Sequence, residues 1–206
     1  MWTLVIDGAT EACSVALFDG DSMLAGDWRR LGRGHAEQLV PMIAALPERG
    51  RAQRIAVALG PGSFTGVRVG LAAARALAFA WNAELLGYPT LALVAAMALR
   101  ERPGEGVAVA MPGGHGEWFV QSFDREGKAR SSLASLKPAQ AAEQVREELV
   151  AGGEAEELVA LRGWGAALPL LPDARAFAEL PQALLTADVR PLYGRGPDAR
   201  LPQAAS

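Results

Sequence analysis

Apolar and polar positions alternate along the first part of the chain in a pattern that predicts a strand-rich lobe. Short apolar or alternating runs predict four strands, at residues 2–7, 13–19, 23–28 and 55–59. A helical pattern spans residues 34–46, and Pro41 inside it predicts a kink or a new first turn. A glycine-rich loop at residues 60–70 separates the fourth strand from an alanine-rich helix that ends at Trp81. The predicted order of elements is therefore β-β-β-α-β-α.

The second part of the chain repeats this order, with negligible sequence identity to the first. Its predicted strands cover residues 107–111, 117–123, 129–133 and 158–161. Pro138 begins a predicted helix that runs to about residue 150, since proline is favoured in a first turn. Further helical pieces are predicted at residues 173–179 and 181–187. A charged stretch with Pro and Gly at residues 101–105 marks the boundary, so we predict two lobes, residues 1–102 and 103–206.

Two consecutive β-β-β-α-β-α units are the plan of the actin-like (ASKHA) nucleotidase superfamily, whose members place ligands in the cleft between two lobes. The sequence therefore predicts an α/β fold of the actin-like type. A doubly wound α/β sheet uses similar parts and is the alternative. Strict alternation of strands and helices would fit that alternative better.

The composition and charge of the chain bear on which classes of protein it can belong to. The chain has 206 residues, is 50% hydrophobic and carries a net charge of −3, which is not the basic balance of a protein that holds nucleic acid by itself. Its one cysteine, Cys13, excludes an intrachain disulfide and indicates a reducing compartment. No signal peptide is evident, and the longest apolar run, residues 91–99, is far shorter than the ~20 residues that span a bilayer. We expect a cytoplasmic protein that does not enter a membrane.

Asp7 and Thr10 lie around the first predicted turn and have two interpretations. In actin-like phosphotransferases an acid–Gly–Thr hairpin of this kind holds a metal-bound phosphate, for which a carboxylate and a hydroxyl are suited. Alternatively, both side chains only cap a tight turn. The matching segment of the second half, residues 110–116, has no carboxylate, and a lone carboxylate holds Mg²⁺ poorly. His35 has Leu39 rather than a second histidine four residues later, so we expect no metal site and no catalytic residue.

The glycine-rich loop at residues 60–70 also has two interpretations. Its backbone N–H groups and the start of the following helix suit an anion or nucleotide, although the loop lacks the Lys-Ser/Thr pair of a P-loop. The candidate contacts are Gly62, Ser63, Thr65 and Arg68. Alternatively, the glycines remove side chains so that the helix packs closely. The small-residue face in this case includes Gly66, Gly70 and Ala73.

Two groups of arginines flank the first predicted helix. Those before it are Arg29, Arg30 and Arg33, and those after it are Arg49, Arg51 and Arg54. Such residues are commonly solvated loop charges, but both groups could contact RNA phosphates. The sequence leaves these two alternatives open.

Four segments of the chain carry a family resemblance. They are residues 6–17 (IDGATEACSVAL), 35–42 (HAEQLVPM), 60–70 (GPGSFTGVRVG) and, near the end, 191–199 (PLYGRGPDA). In this order they resemble the TsaB (YeaZ) family, densely over residues 1–100 and sparsely afterwards. One departure is Pro112-Gly113-Gly114, which stands where the family often has Asp-Ala-Arg.

The resemblance implies an actin-like fold and a role in making N6-threonylcarbamoyladenosine at position 37 of tRNAs that read ANN codons. It implies that the chain is the non-catalytic partner of a larger paralogue, TsaD, which holds the metal and transfers the threonylcarbamoyl group. A small ATPase, TsaE, joins them, and tRNA is reached indirectly through the complex.

The larger partner would cover an apolar face formed by the first helix and the small-residue helix. The expected interface residues are His35, Leu39, Met42, Ile43, Leu46, Gly66, Gly70 and Ala73. Without the partner, the same face would form a homodimer. We expect no cofactor of the chain's own, with ATP or ADP at the shared interface as an option. The alternative function is an independent actin-like ATPase or kinase that uses Asp7 and residues 60–70.

Overall fold

The first half of the chain folds around a mixed five-stranded sheet in the computed structural model, which describes residues 1–194. Its strands are β1 (Trp2–Asp7), β2 (Ala12–Asp19), β3 (Ser22–Arg30), β4 (Arg54–Ala58) and β5 (Glu84–Tyr88). They lie in the order β3-β2-β1-β4-β5. The three hairpin-connected strands are antiparallel, whereas β4 is parallel to β1 and β5 is parallel to β4.

The second half builds a sheet with the same arrangement. Its strands are β6 (Val107–Gly114), β7 (Glu117–Phe123), β8 (Ala134–Leu136), β9 (Leu149–Ala151) and β10 (Ala166–Leu168). Counted from the other edge, the order β8-β7-β6-β9-β10 matches that of the first sheet position by position, with β9 parallel to β6 and β10 parallel to β9. The predicted repeat of element order is therefore confirmed.

Helices cover both sheets and fill the space between them. They are α1 (His35–Ala44), α2 (Phe64–Trp81), α3 (Thr90–Glu101), α4 (Pro138–Gln144) and α5 (Ala155–Arg162). Helices α1 and α2 pack on the first sheet, and α4 and α5 pack on the second. Between the sheets lie α3, which contacts β6, β7 and β9, and a 3-10 helix, Ala174–Glu179, which contacts β1, β2 and β3. None of the helices within residues 1–194 is long and apolar enough to cross a membrane.

The hydrophobic core crosses from one sheet to the other. One cluster of buried residues includes Leu4 of β1, Val109 of β6 and Phe177 of the 3-10 helix, so the end of the chain returns to pack on the first sheet. A smaller cluster, which includes Val120 and Leu158, lies under α4 and α5. The sheets separate between α3 and β6, near the predicted boundary, but the division into two lobes stays a prediction because the core is shared.

Several predicted elements need correction. Residues 158–161 were predicted as a strand but belong to α5, and the third strand of the second sheet is β8 rather than residues 129–133. The helix that begins at Pro138 ends at Gln144, where the chain turns into β9. The prediction also lacked β5, α3, β9 and β10. Helix α3 is buried along residues 90–98. Because residues 91–98 are all apolar, they show no helical period.

Candidate functional site at the first hairpin and the glycine loop

The candidate site lies at one edge of the first sheet, where β1 and β4 end side by side. Because the two strands are parallel neighbours, their carboxyl ends bring the hairpin turn at residues 8–11 against the glycine loop. Helix α2 begins directly after this loop. Ser63 caps it, since its Oγ accepts a hydrogen bond of 3.3 Å from the Gly66 N–H.

Asp7 is buried at the end of β1, and both of its carboxylate oxygens have donors from this chain. The Ala9 N–H donates to Oδ1 at 3.0 Å, and the Tyr88 hydroxyl donates to Oδ2 at 3.2 Å. Burial, with a smaller contribution from the charge of Asp173, raises the pKa of Asp7 to about 7, although the hydrogen bonds from Ala9 and Tyr88 oppose the shift. A carboxyl in this environment is suited to the interior of the protein rather than to a solvated metal.

Thr10 is also committed to the turn. Its Oγ1 accepts a hydrogen bond of 3.1 Å from the Ala12 N–H, two residues later, as Asp7 does from Ala9. Both side chains thus make the hydrogen bonds that the turn-capping interpretation predicts. Residues 1–194 contain no group of three or more His, Cys, Asp or Glu side chains that could hold a metal ion.

Gly62 and Gly66 are required because the hairpin turn lies directly on them. A Cβ at Gly62 would lie 1.9 Å from the Ala9 carbonyl oxygen, and one at Gly66 would lie 2.0 Å from the Gly8 carbonyl oxygen. The Ser63 N–H donates to the Ala9 carbonyl at 2.6 Å. The hairpin carbonyls thus lie against the loop at these two glycines, as the close-packing interpretation predicts.

Gly70 differs from the other two glycines. A Cβ there would lie 3.7 Å from Val57 Cγ2, an ordinary van der Waals distance. Gly70 is on the buried face of α2, and Ala73 of the same helix is half-buried. The packing of this chain therefore does not require glycine at position 70.

Arg68 lies on the surface in a cluster with two aromatic rings. Its guanidinium is 3.6 Å from the centroid of the Phe64 ring and donates to the Tyr193 hydroxyl at 3.3 Å. The rings are 6.4 Å apart, and Phe64 and Tyr193 are 59% and 58% exposed. Ser63 and Thr65 are also exposed beside them. The sequence analysis missed Phe64 and Tyr193 as members of this cluster, although Tyr193 lies in the family-like ending, whose residues 195–199 fall outside the described part.

The apolar residues that were predicted as partner anchors are in the wrong place for that role. Leu39, Met42, Ile43 and Leu46 are each at most 7% exposed and belong to the core of this chain. His35 is buried as well, with Nε2 3.3 Å from the Ala12 carbonyl oxygen. Helical spacing shows that one face of α1 is apolar, and the first sheet of the same chain already covers that face.

Comparisons of sequence and structure identify known proteins that are similar to this chain. Over 147 residues the chain is 33% identical to the tRNA threonylcarbamoyladenosine biosynthesis protein TsaB of Escherichia coli, covering 67% of this chain and 63% of that protein. A crystal structure from Pseudomonas aeruginosa, described as an uncharacterized protein with similarity to peptidase YEAZ, is 31% identical. The match covers 94% of this chain and 99% of that one, with a TM-score of 0.78. The chain belongs to the TsaB (YeaZ) family.

Two further similarities agree with membership of the TsaB family and with its fold. Residues 29–171 match the family model described as TsaD, tRNA N6-adenosine threonylcarbamoyltransferase. The ethanolamine utilization protein EutJ from Carboxydothermus hydrogenoformans shares the fold at 13% identity, with a TM-score of 0.51 over 88% of this chain and 90% of that one. The predicted actin-like α/β fold is thereby confirmed. The chain spans less than two thirds of the length of the E. coli TsaB that it matches.

Proposed function

We propose that this protein is a non-catalytic subunit in the formation of N6-threonylcarbamoyladenosine at position 37 of tRNA, in the cytoplasm. It binds and supports the larger TsaD-like paralogue together with a TsaE-like ATPase. Family membership supports the pathway. The observation that carries the non-catalytic role is Asp7: its carboxylate is 1% exposed and both oxygens are hydrogen-bonded within the chain.

The surface that supports partner binding is the outer side of α1 and α2, which contact each other and lie next to each other on the first sheet. On α1, Ala36, Val40, Pro41 and Ala44 are exposed, and Val40 is 59% exposed. On α2, Ala72 and Ala76 are exposed, and Phe79 is 92% exposed. Small residues beside protruding apolar side chains allow another helix to approach closely. We therefore place the partner on this outer side, with a homodimer as the state of the chain alone.

A shared anion or nucleotide at the interface is supported by the surface residues around Arg68. Ser63, Thr65 and Arg68 remain exposed at the start of α2, and the aromatic cluster holds the guanidinium at the surface. We place Gly62 and Asp7 outside this contact, because the hairpin lies against Gly62 and Asp7 is buried. ATP or ADP would therefore meet this chain from the outside, with the partner completing the site.

The independent ATPase or kinase is the second candidate. Calorimetry of the isolated chain with Mg-ATP distinguishes the two functions. We expect no tight binding, and no difference between the parent and Asp7→Asn, because the carboxylate is turned into the protein. Tight binding that Asp7→Asn abolishes would favour the independent ATPase or kinase.

The proposed interface can be tested by comparing the affinities of the parent and of Val40→Glu for the TsaD-like paralogue. A glutamate at this exposed position leaves the fold intact and places a charge in the proposed interface, so we expect affinity to fall at least tenfold, or by about 1.4 kcal/mol. Titration calorimetry gives the dissociation constant, and circular dichroism checks the fold.

The matched control is Leu161→Glu, which changes a similarly exposed apolar residue on α5. It should bind the paralogue as the parent does. Absence of a complex with the parent at micromolar concentration, or equal affinities for Val40→Glu and the parent, contradicts the proposed interface. Met42→Glu is unsuitable as a test, because it places a charge in the core of this chain.

A further inference from the structure

The turn that follows α1 has a backbone that its residues do not favour. Glu48 has φ 49° and ψ 28°, Arg49 has φ 55° and ψ 35°, and Gly50 has φ 70°. Three successive residues thus adopt the left-handed conformation, in which an ordinary Cβ approaches the following carbonyl. Gly50 suits this position. Glycine or asparagine would also be less strained at the first two positions, which Glu48 and Arg49 occupy instead.

Packing explains why residue 50 is a glycine. A Cβ there would lie 2.9 Å from Ile43 Cγ2, beneath α1. Glu48 and Arg49, in contrast, are exposed and point no side chain into the core. Packing therefore accounts for the third residue of the turn and leaves the first two without a structural reason.

The turn forms one wall of a cleft of about 580 Å³ at the carboxyl-terminal ends of α1 and α2. Its lining residues are Leu46, Glu48, Arg49, Arg51 and Trp81. Trp81 is half-buried and packs on the core, so one side of the indole forms part of the wall. A cleft of this volume accepts a group as large as one nucleotide.

Arg49 and Arg51 differ from the other arginines near α1 in lining this cleft with unpaired side chains, whereas Arg33, which also lacks a side-chain partner among residues 1–194, lies outside the lining. Within residues 1–194, neither guanidinium has an ion pair or a side-chain hydrogen bond, and both residues are exposed. Three of the other arginines near α1 are paired: Arg29 with Asp27 at 2.8 Å, Arg30 with Glu11 at 2.6 Å, and Arg54 with Glu84 at 2.8 Å. Of the arginines predicted to contact RNA, these two therefore retain free donors beside an aromatic wall.

We infer that Arg49 and Arg51 contact the phosphate backbone of RNA, with Trp81 beside an adjoining nucleotide. This inference rests on the proposed function and adds a direct tRNA contact by this chain. Two guanidinium groups suit phosphate oxygens, and an indole suits a base or ribose. A net charge of −3 makes the contact a supplement within the complex rather than a complete binding site.

The position of the cleft is compatible with partner binding. It opens beyond the ends of α1 and α2, whereas the proposed partner surface is centred on Val40, Ala72 and Ala76 along their length. RNA can therefore reach the two arginines while the paralogue is bound. An acidic segment of a partner protein is the competing occupant, and the experiment separates the two.

The test measures the salt dependence of tRNA binding by the reconstituted complex with the paralogue and the ATPase. Each phosphate contact contributes about 0.7–0.9 to the slope of log affinity against log salt concentration. Changing both residues, Arg49→Gln with Arg51→Gln, should lower that slope by about 1.5 and weaken binding at low salt by at least tenfold. The control Arg125→Gln removes an exposed arginine of the other lobe and should leave the slope unchanged.

Arg49→Gly separates a binding role from a structural one. Glycine adopts the left-handed backbone without strain, so its melting temperature should equal or exceed that of the parent while the slope falls by about 0.8. A lower melting temperature with an unchanged slope would assign Arg49 to the fold and overturn the inference.

The remaining outcomes are also decisive. If the double variant loses affinity for the paralogue in the absence of RNA, the occupant is a protein segment and the inference is wrong. If the slope is unchanged while the complex still assembles and modifies tRNA, the inference fails and the proposed function stands. If the parent chain forms no complex, the proposed function fails and the inference falls with it.

Discussion

Replacement of Asp7 by asparagine should make the protein more stable at alkaline pH. The pKa of Asp7 is about 7, against an ordinary value of 3.8, and burial is the main cause. The folded state thus holds the proton more tightly than the unfolded state, so stability falls as pH rises from about 4 to about 7 and is constant above that. At about 1.4 kcal/mol per pKa unit, the raised pKa of Asp7 destabilises the folded state by about 4 kcal/mol at pH 8, where the carboxyl is ionised, and by between 1 and 2 kcal/mol at pH 5, where it is protonated in the folded state.

Asparagine retains the local hydrogen bonds of this carboxyl. Its Oδ1 accepts from the Ala9 N–H, and its Nδ2 donates to the Tyr88 hydroxyl, which still donates to the Ile6 carbonyl oxygen. The gain of Asp7→Asn over the parent should therefore grow by about 2–3 kcal/mol between pH 5 and pH 8. Urea unfolding followed by tryptophan fluorescence measures it, and contributions of other titrating groups cancel in the difference.

The reasoning is refuted if the difference in unfolding free energy between Asp7→Asn and the parent is independent of pH. It is also refuted if the variant is less stable than the parent at pH 8, because the carboxylate would then be a favourable charge in a solvated site. Such a result would restore the interpretation of Asp7 as a phosphate or metal ligand.

Two further predictions concern packing. Gly66→Ala should lower the unfolding free energy by about 2–3 kcal/mol in thermal melts, because its Cβ would lie 2.0 Å from the Gly8 carbonyl oxygen. Gly70→Ala, in contrast, should leave the unfolding free energy unchanged or raise it by up to about 1 kcal/mol. Equal effects of the two substitutions would contradict the close packing of the loop. Burial raises the pKa of the Cys13 thiol to about 11, so an aromatic disulfide reagent at pH 8 should label it only as fast as the protein unfolds, and immediate labelling would contradict its burial.

The sequence predicted the fold well where local patterns match the final environment. Strands β1 and β7 have the predicted bounds, and the loop before α2 was identified by its glycines. Helix α3 was missed because it lies between two sheets and is apolar on all sides, so no periodicity marks it. Residues 158–161 were misassigned because a run of four apolar residues fits both a strand and a buried helix.

The position of the candidate site could be predicted from the sequence, but the contacts of its side chains could not. The pattern around Asp7 and the glycine loop identified two turns at one edge of a sheet, and it also supplied their turn-capping alternative. The contacts that favour turn capping and close packing are non-local: Tyr88 approaches Asp7 from β5, and the Gly8 and Ala9 carbonyls lie against the loop. In the same way, periodicity identified the apolar face of α1 but could not show that the first sheet of the same chain covers it.

Loss of the gene, followed by mass spectrometry of nucleosides from total tRNA, is the most direct test of the central claim that this chain supports the modification without catalysing it. We predict that N6-threonylcarbamoyladenosine disappears in the deletion strain and is restored by the parent gene and equally by Asp7→Asn. Persistence of the modified nucleoside in the deletion strain, or its restoration by the parent but not by a folded Asp7→Asn protein, would contradict the account.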